Sequence, residues 1–418
     1  MPNDSPIAAR LRSEIARFGG AGSLSQENDR ALSARDAAVV ARSIAPSLGI
    51  TRVARVTGLD RIGIPVWTAT RPNALSLSVS QGKGADDDAA VASAVFEAAE
   101  LTIAERQHAA AFHATRTELE AAGRRVMDGA RFLRRGESGP TRDEPASWVE
   151  GLDLLSGNSI FVPEDAVRMA DVPGCSYWQT SDGLGTGSNL LEAAVHGVCE
   201  LIERDAMALW SLCGDERVAR REIAAGALGS SREIDAVAAK IAAAGIRLRL
   251  FDVTSDMSVP AFLAVLVPDR PRASLSYFDL ASGSGAHPVA TRAALRAITE
   301  AVQTRLTTIT GSRDDVDPAD YRRALPHDLT VYTGATNAGT GPKPPAGYAG
   351  EKSLAGYLEW LVARVKAAGI RTLALVPFEF PDFPFVIART LAPGLEQDPR
   401  SGNRRPGRRL LAAMLAGP

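Results

Sequence analysis

Between residues 48 and 80 apolar and polar positions alternate in three runs, ITRVARV, IGIPVWTAT and ALSLSVS, broken by Gly, Asp and Pro-Asn. Period-two alternation bounded by turn residues predicts three strands. From about Asp87 to Leu119 the chain is Ala-rich and free of Gly and Pro, with Asp87 and Asp88 where a helix dipole favours negative charge. That predicts a first long helix. A polar loop, RRGESGPTRDEPA, spans 134 to 146, and SIFVPEDAV reads as a strand running into a turn. The Gly-studded stretch SDGLGTGSN, 181 to 189, reads as a turn opening a second helix, LLEAAVHGVCELIERDAMALW, from Leu190. A helix from 232, then Gly245, RLRLFDV and AFLAVLV, predicts helix, turn and two strands. GSGAHP reads as the turn before a third helix, ATRAALRAITEAVQTRLTTI, and a fourth helix is expected over 353 to 368. TLALVP and FVIARTL close the pattern as strands, and SGNRRPGRR reads as a mobile basic tail.

Helices and strands interleave without a regular βα rhythm, so the fold class is mixed α/β with substantial antiparallel sheet. The expected organisation is a helical extension over 1–49, one domain over 50–396 and a tail over 397–418. No solenoid-period repeat is visible.

Composition narrows the function. The 418 residues carry 47 Lys+Arg against 49 Asp+Glu, a formal net charge of -2. That lacks the basic excess on which phosphate-backbone binding depends, so nucleic acid is not an expected partner. With 45% hydrophobic and 23% charged residues the chain has the balance of a folded globular protein. Cys175, Cys199 and Cys213 form neither a disulfide framework nor a C-x-x-C site, which fits a reducing compartment. Arg10, Arg12, Glu14 and Arg17 interrupt any signal-peptide core, and no run approaches the roughly 18 apolar residues of a membrane span. The expected location is the cytoplasm.

Candidate chemistry lies on the helices. Ser93, Glu97 and Glu100 fall at i, i+4 and i+7, in one stripe of the first long helix. Glu192, His196, Glu200 and Glu203 fall within roughly 80° of arc on the second. Neighbouring positions such as Val95, Phe96, Val195, Val198 and Leu201 are apolar enough to bury both helices. Carboxylates there are costly unless a cation neutralises them, and hard divalent cations such as Mg²⁺ prefer oxygen ligands shared with substrate phosphates. Solvated helix faces are the plain alternative. Gly-rich turns before the helices would offer backbone N–H groups to a phosphate, although neither QGKG nor SDGLGTG is a complete nucleotide motif. Arg296, Glu300 and Gln303 share a face of the third helix and suit either phosphate contacts or a surface ion-pair ladder. Glu105-x-x-His108 is a single E-x-x-H, whereas a di-iron bundle needs two.

The runs QGKGADDDAAVASAVFEAAE, SDGLGTGSNLLEAAVHGVCELIERDAMALW, FDVTSDMSVPAF, GSGAHPVATRAALRAITEAVQTRL and FPFVIARTLAPGLE resemble, collinearly from about 50 to 396, the YcaO family of ATP-dependent peptide-backbone-modifying enzymes. RPNALSLSVSQGKG is similar to the subgroup paired with TfuA-like proteins. The resemblance implies a YcaO-type fold of antiparallel sheets and long helices around a nucleotide site, with ATP and Mg²⁺ as cofactors. It implies Glu97, Glu100, Glu200 and Glu203 as metal ligands, and Lys83, Ser93, Ser188, Glu192, Gln303 and Arg305 as nucleotide contacts. Its implied partners are a peptide or protein substrate, a TfuA-like protein and a sulfur donor; a homodimer is left open.

Two departures stand out. The family usually has Asn where this chain has Asp182 and Ser188, with Asn189 one place later. Azoline-forming members commonly end in P-x-P-x-P, whereas this sequence ends AAMLAGP, an expectation toward thioamide formation. The implied chemistry is addition of a nucleophile to an amide carbonyl, phosphorylation of the oxygen by ATP and loss of phosphate. A noncatalytic nucleotide-binding accessory protein is the opposing class.

Overall fold

The computed structural model describes residues 5–18, 20, 24, 30–106, 108, 110–169, 175–228, 231–270, 275–334, 343–378, 380, 383–397 and 405–416. In chain order the elements are α1 (Pro6–Phe18), α2 (Ala34–Ile44), β1 (Arg52–Arg55), β2 (Val66–Thr70), β3 (Val79–Lys83), α3 (Asp87–Ala104), β4 (Phe112–Ala114), α4 (Arg116–Ala121), β5 (Ala146–Asp153), β6 (Asn158–Pro163), α5 (Glu164–Val167) and β7 (Leu184–Gly187). There follow α6 (Leu190–Trp210), α7 (Asp215–Arg220), β8 (Glu222–Ile223), α8 (Arg232–Ala243), β9 (Ile246–Asp252), β10 (Ala261–Pro268), β11 (Ala281–Ala286), α9 (Ala290–Thr310), α10 (Leu354–Ala367), β12 (Ala374–Pro377), β13 (Val386–Leu391) and α11 (Arg408–Ala416). This is the mixed α/β architecture with antiparallel sheets that the hydrophobic pattern predicts.

The chain divides into two compact units whose segments interleave, one of residues 1–33, 99–209 and 350–417, the other of 34–98 and 210–349. The first unit holds a six-stranded antiparallel sheet, β4-β5-β12-β13-β7, with β6 on β5. The second holds a three-stranded sheet, β1-β2-β3, and a four-stranded one, β11-β10-β9-β8, both antiparallel. Its core joins Phe262, Ala264 and Leu266 of β10 to Ala293, Ala297, Ala301 and Leu306 of α9.

Glycine placement corrects the phosphate-cradle expectation. Gly185 and Gly187 lie in the buried strand β7, Gly283 and Gly285 in β11 and Gly82 in β3, whereas Gly183 keeps to the turn before β7 with φ +81°. A Cβ on Gly185 would stand 2.4 Å from the Ala193 carbonyl oxygen, and on Gly283 2.2 Å from the Ala301 nitrogen. On Gly82 it would meet the Ala94 nitrogen at 2.0 Å. The glycines therefore admit α6, α9 and α3 against their own preceding strands.

Three further expectations change. The first long helix stops at Ala104 instead of Leu119: the His108 amide donates to Glu164 Oε1 at 2.9 Å, and Phe112 pairs across β4 with Trp148 of β5. Sheet pairing overrides the helical propensity of the Ala-rich segment. β5 and β4 themselves went unread. The tail beyond 397 is also not wholly loose, since α11 is a helix with buried Leu410; residues 398–404 and 417–418 lie outside the described residues.

Gly283→Ala should lower the urea midpoint by the equivalent of roughly 3 kcal/mol or more, because rigid helix backbone leaves the methyl nowhere to go. An unchanged midpoint would show that β11 and α9 separate freely.

Candidate functional site

In the first unit the polar stripe of α6 meets the C-terminal half of α3. Glu203 is buried, and Glu200 Oε2 accepts the Gly183 amide at 3.2 Å. Glu100 Oε1 accepts the Thr186 hydroxyl of β7 at 2.8 Å. Burial pushes the Glu200 carboxyl to about 8; Arg204 opposes that rise, while Asp182, Glu203 and Glu100 add to it by like-charge repulsion. Arg204 stands among the acids, 3.4 Å from Asp182, 3.3 Å from Glu200 and 3.7 Å from Glu203. Arg389, on β13, is 2% exposed and donates to the Val167 and Thr180 carbonyl oxygens. Its burial brings the guanidinium pKa down to about 10 against the pull of Asp182 and Glu200. Glu100, Glu203 and Asp182 thus act on Glu200 as one electrostatic cluster.

The N-terminus of α6 is occupied by the chain's own groups. Asn189 Oδ1 accepts the Glu192 amide, and the Ser188 amide and hydroxyl both donate to Glu192 Oε2, each at 2.9 Å. Glu14 of α1 accepts the Leu191 amide at 3.0 Å. Arg30 reaches Glu192 Oε1 at 3.3 Å and the Thr186 carbonyl at 3.4 Å. Glu14 and Arg30 escaped sequence reasoning because they lie more than 150 positions away along the chain.

The second unit carries Glu97, Lys83 and Gln303. Lys83 Nζ is 3.0 Å from Glu300 Oε2 on α9. Gln303 Nε2 donates to the Gln81 carbonyl at 3.2 Å. Burial pushes the Glu97 carboxyl to about 7; Lys83 and Arg313 pull it down and Glu300 pushes it up. Arg313, another residue the sequence reading missed, is held by Asp315 at 2.8 and 2.5 Å. Ser93 is half-buried one turn before Glu97.

Arg305 lies on another face of α9 from Glu300 and Gln303. It stands 3.5 Å from buried Asp60 and lines a cavity of about 450 Å³ with Arg61, Asp269 and Arg270, apart from the Lys83–Glu300 pair. Five residues after Glu300 it points about 140° around α9, so helix geometry separates it from that face.

Among the described residues no three His, Cys, Asp or Glu side chains are grouped as a ready metal cage. In each unit the donors nevertheless suit Mg²⁺, being hard oxygen ligands: Glu97 in the second and Glu200 in the first are both raised by burial that the neighbouring Lys and Arg do not fully offset. The buried Gln81 Nε2, which has no hydrogen-bond partner, is a donor available to a phosphate oxygen.

The sequence profile described as YcaO cyclodehydratase, ATP- and Mg²⁺-binding, matches residues 81–396. The chain belongs to the YcaO family. ATP and Mg²⁺ are the ligands of this family. An uncharacterized protein from the tfuA 3′ region of Rhizobium leguminosarum bv. trifolii is 39% identical over 383 residues, 90% of each chain. An uncharacterized Methanothermobacter thermautotrophicus protein is 30% identical over 86% of this chain and 93% of its own. YcaO from Methanopyrus kandleri, solved with AMPPCP and Mg²⁺, shares the fold with a TM-score of 0.65 at 21% identity, over 89% of this chain and 94% of that one. A heterocyclase solved with substrate and cofactor gives 0.72 at 19% identity over 91% of this chain, which spans 55% of that longer protein. No described helix of this YcaO protein is long and apolar enough to cross a membrane.

A carboxyl raised in the folded state binds its proton more tightly there than in the unfolded chain. The stability Glu97 contributes is therefore full below the ordinary glutamate value of 4.5 and lost as pH rises through about 7. Glu97→Gln should remove that decline, gaining about 1–3 kcal/mol on the wild type between pH 5 and 8 without metal or nucleotide. A stability difference constant over that range would show an ordinary carboxylate.

Proposed function

We propose that this YcaO protein activates a peptide backbone amide by ATP-dependent O-phosphorylation and replaces its oxygen with sulfur. The observation that carries the phosphoryl-transfer reading is the cluster of Glu200 and Glu203 around Arg204, with Glu100 close enough to act on Glu200. Glu97, Glu100, Glu200 and Glu203 are assigned to Mg²⁺, which when bound neutralises phosphate charge during transfer. Lys83, Ser93, Ser188, Glu192 and Gln303 are assigned to the nucleotide, with Arg204 steadying Glu200 and Glu203. Arg305, which stands 3.5 Å from Asp60, is assigned to the nucleotide with them.

A hydrosulfide sulfur adds to the carbonyl carbon, the oxygen receives the γ-phosphoryl group, and the C–O bond breaks. Thioamide, ADP and phosphate result, the phosphate carrying the amide oxygen and the hydrosulfide proton. Sulfur as nucleophile is favoured by the likeness to the protein of the tfuA 3′ region, with a TfuA-like partner delivering it from a sulfur donor. A neighbouring Cys, Ser or Thr side chain adding in its place would make the protein an azoline-forming cyclodehydratase.

With ATP, Mg²⁺, sulfide, a TfuA-like partner and the cognate peptide, the peptide should gain about 16 Da, and Glu200→Gln should abolish ATP turnover without loss of fold. A loss of about 18 Da would transfer the chain to the azoline branch. Undiminished turnover in the Glu200 variant would remove that residue from the metal site.

A further inference from the structure

The face of α6 turned away from its glutamates carries a second acidic group. Asp205 follows Arg204 directly and is fully buried. At about 100° per residue it lies roughly 200° around the helix from Glu203, so it cannot share that residue's ligands. Its carboxylate is held in a fork by Arg409 of α11, Nε to Oδ1 and Nη2 to Oδ2, both 2.8 Å. Oδ1 also accepts the Glu396 amide at 2.9 Å.

Glu396 in turn fixes the start of α11. Its carboxylate accepts the amides of Gly407, Arg409 and Leu410 at 2.8, 3.1 and 3.2 Å, and Arg131 Nη2 lies 3.2 Å away. Arg131 also donates to the carbonyl oxygens of Arg405 and Pro406. Two buried carboxylates thus form a lock whose far end is the helix bearing Glu200, Glu203 and Arg204.

We propose that Arg409 is a positioning residue for the Mg²⁺–nucleotide site, acting through Asp205 on the rotation of α6. This rests on the functional reading above and assigns it a residue outside the carboxylate stripes. A bidentate guanidinium–carboxylate pair fixes direction as well as distance, and a ring of packed atoms around Asp205 keeps it dry. Without the fork, a buried uncompensated carboxylate turns toward water or another donor and takes the helix rotation with it. Glu203 sits within one turn of Asp205 and Glu200 within about a turn and a half, so a rotation of this part of the helix moves the oxygens of both.

The test is Mg²⁺-dependent binding of a nonhydrolysable ATP analogue, followed by calorimetry, for wild type, Arg409→Ala, Arg409→Lys and Arg125→Ala. Arg125 pairs with buried Asp153 on β5 at 2.9 Å, so its loss also strands a buried carboxylate in the same unit, but not on α6. Arg409→Ala is expected to weaken binding about tenfold and Arg409→Lys by less, while Arg125→Ala stays within about twofold of wild type despite a lower melting temperature. If Arg409→Ala does not fold, Arg409→Lys decides, since it retains the charge and loses only the fork. Unchanged binding in the folded Arg409 variants, or an equal loss in Arg125→Ala, overturns the inference alone. A wild type that binds no nucleotide overturns the functional reading and this inference with it.

Discussion

The arrangement depends on how closely three helices approach their own preceding strands. Gly185 and Gly187, and Gly283 and Gly285, are spaced by two, which puts each pair on one face of its strand, and Gly82 and Gly84 repeat the spacing at the end of β3. Every added Cβ would fall inside contact distance of α3, α6 or α9. The helices answer with small residues, Ala90 and Ala94, Ala193 and Gly197, Ala293 and Ala297. Backbone against backbone leaves little freedom to roll, because a helix turned by one residue would bring a side chain where only a hydrogen fits. The face opposite the strand is thereby fixed, and the site glutamates ride on the helices so held.

That fixed presentation explains why costly charges persist. A carboxylate free to swing would reach water, and its pKa would stay near the ordinary range. Glu97 and Glu200 are instead held where desolvation dominates, with Lys83, Arg313 and Arg204 only partly offsetting it. A divalent cation bound as proposed would find much of the desolvation already met in folding, and would relieve repulsion among Glu100, Glu200, Glu203 and Asp182.

Much of this was legible in the sequence. The spacing of Glu192, Glu200 and Glu203 placed them on one stripe, and Glu100 joins the same cluster as Glu200. Period-two runs marked β1, β2, β9, β10 and β13. What failed were segments whose structure is decided from a distance. The Ala-rich stretch after Ala104 reads as helix until Trp148 supplies a strand to pair with Phe112. The glycines of β7 and β11 read as turns because a strand without side chains has no hydrophobic pattern to show. Arg30, Glu14 and Arg409 reach α6 from far away along the chain, and a single sequence holds no spacing rule that would find them.

Two adjacent residues of α6 show how a rigid helix can still serve exchangeable chemistry. Arg204 divides its guanidinium among three acids at 3.3 to 3.7 Å, contacts long enough to be individually weak. Asp205, the next residue, is gripped by a fork at 2.8 Å on both arms. A cation bound as proposed would compete with Arg204 for Glu200 and Glu203, and those contacts would yield at small cost. It gains nothing by disturbing Asp205, whose oxygens are already satisfied and lie on the other face. Asp182, where the family usually carries Asn, adds a further acid to the Arg204 side of that balance. The guanidinium released by the glutamates therefore keeps a charged partner instead of being left buried and unpaired.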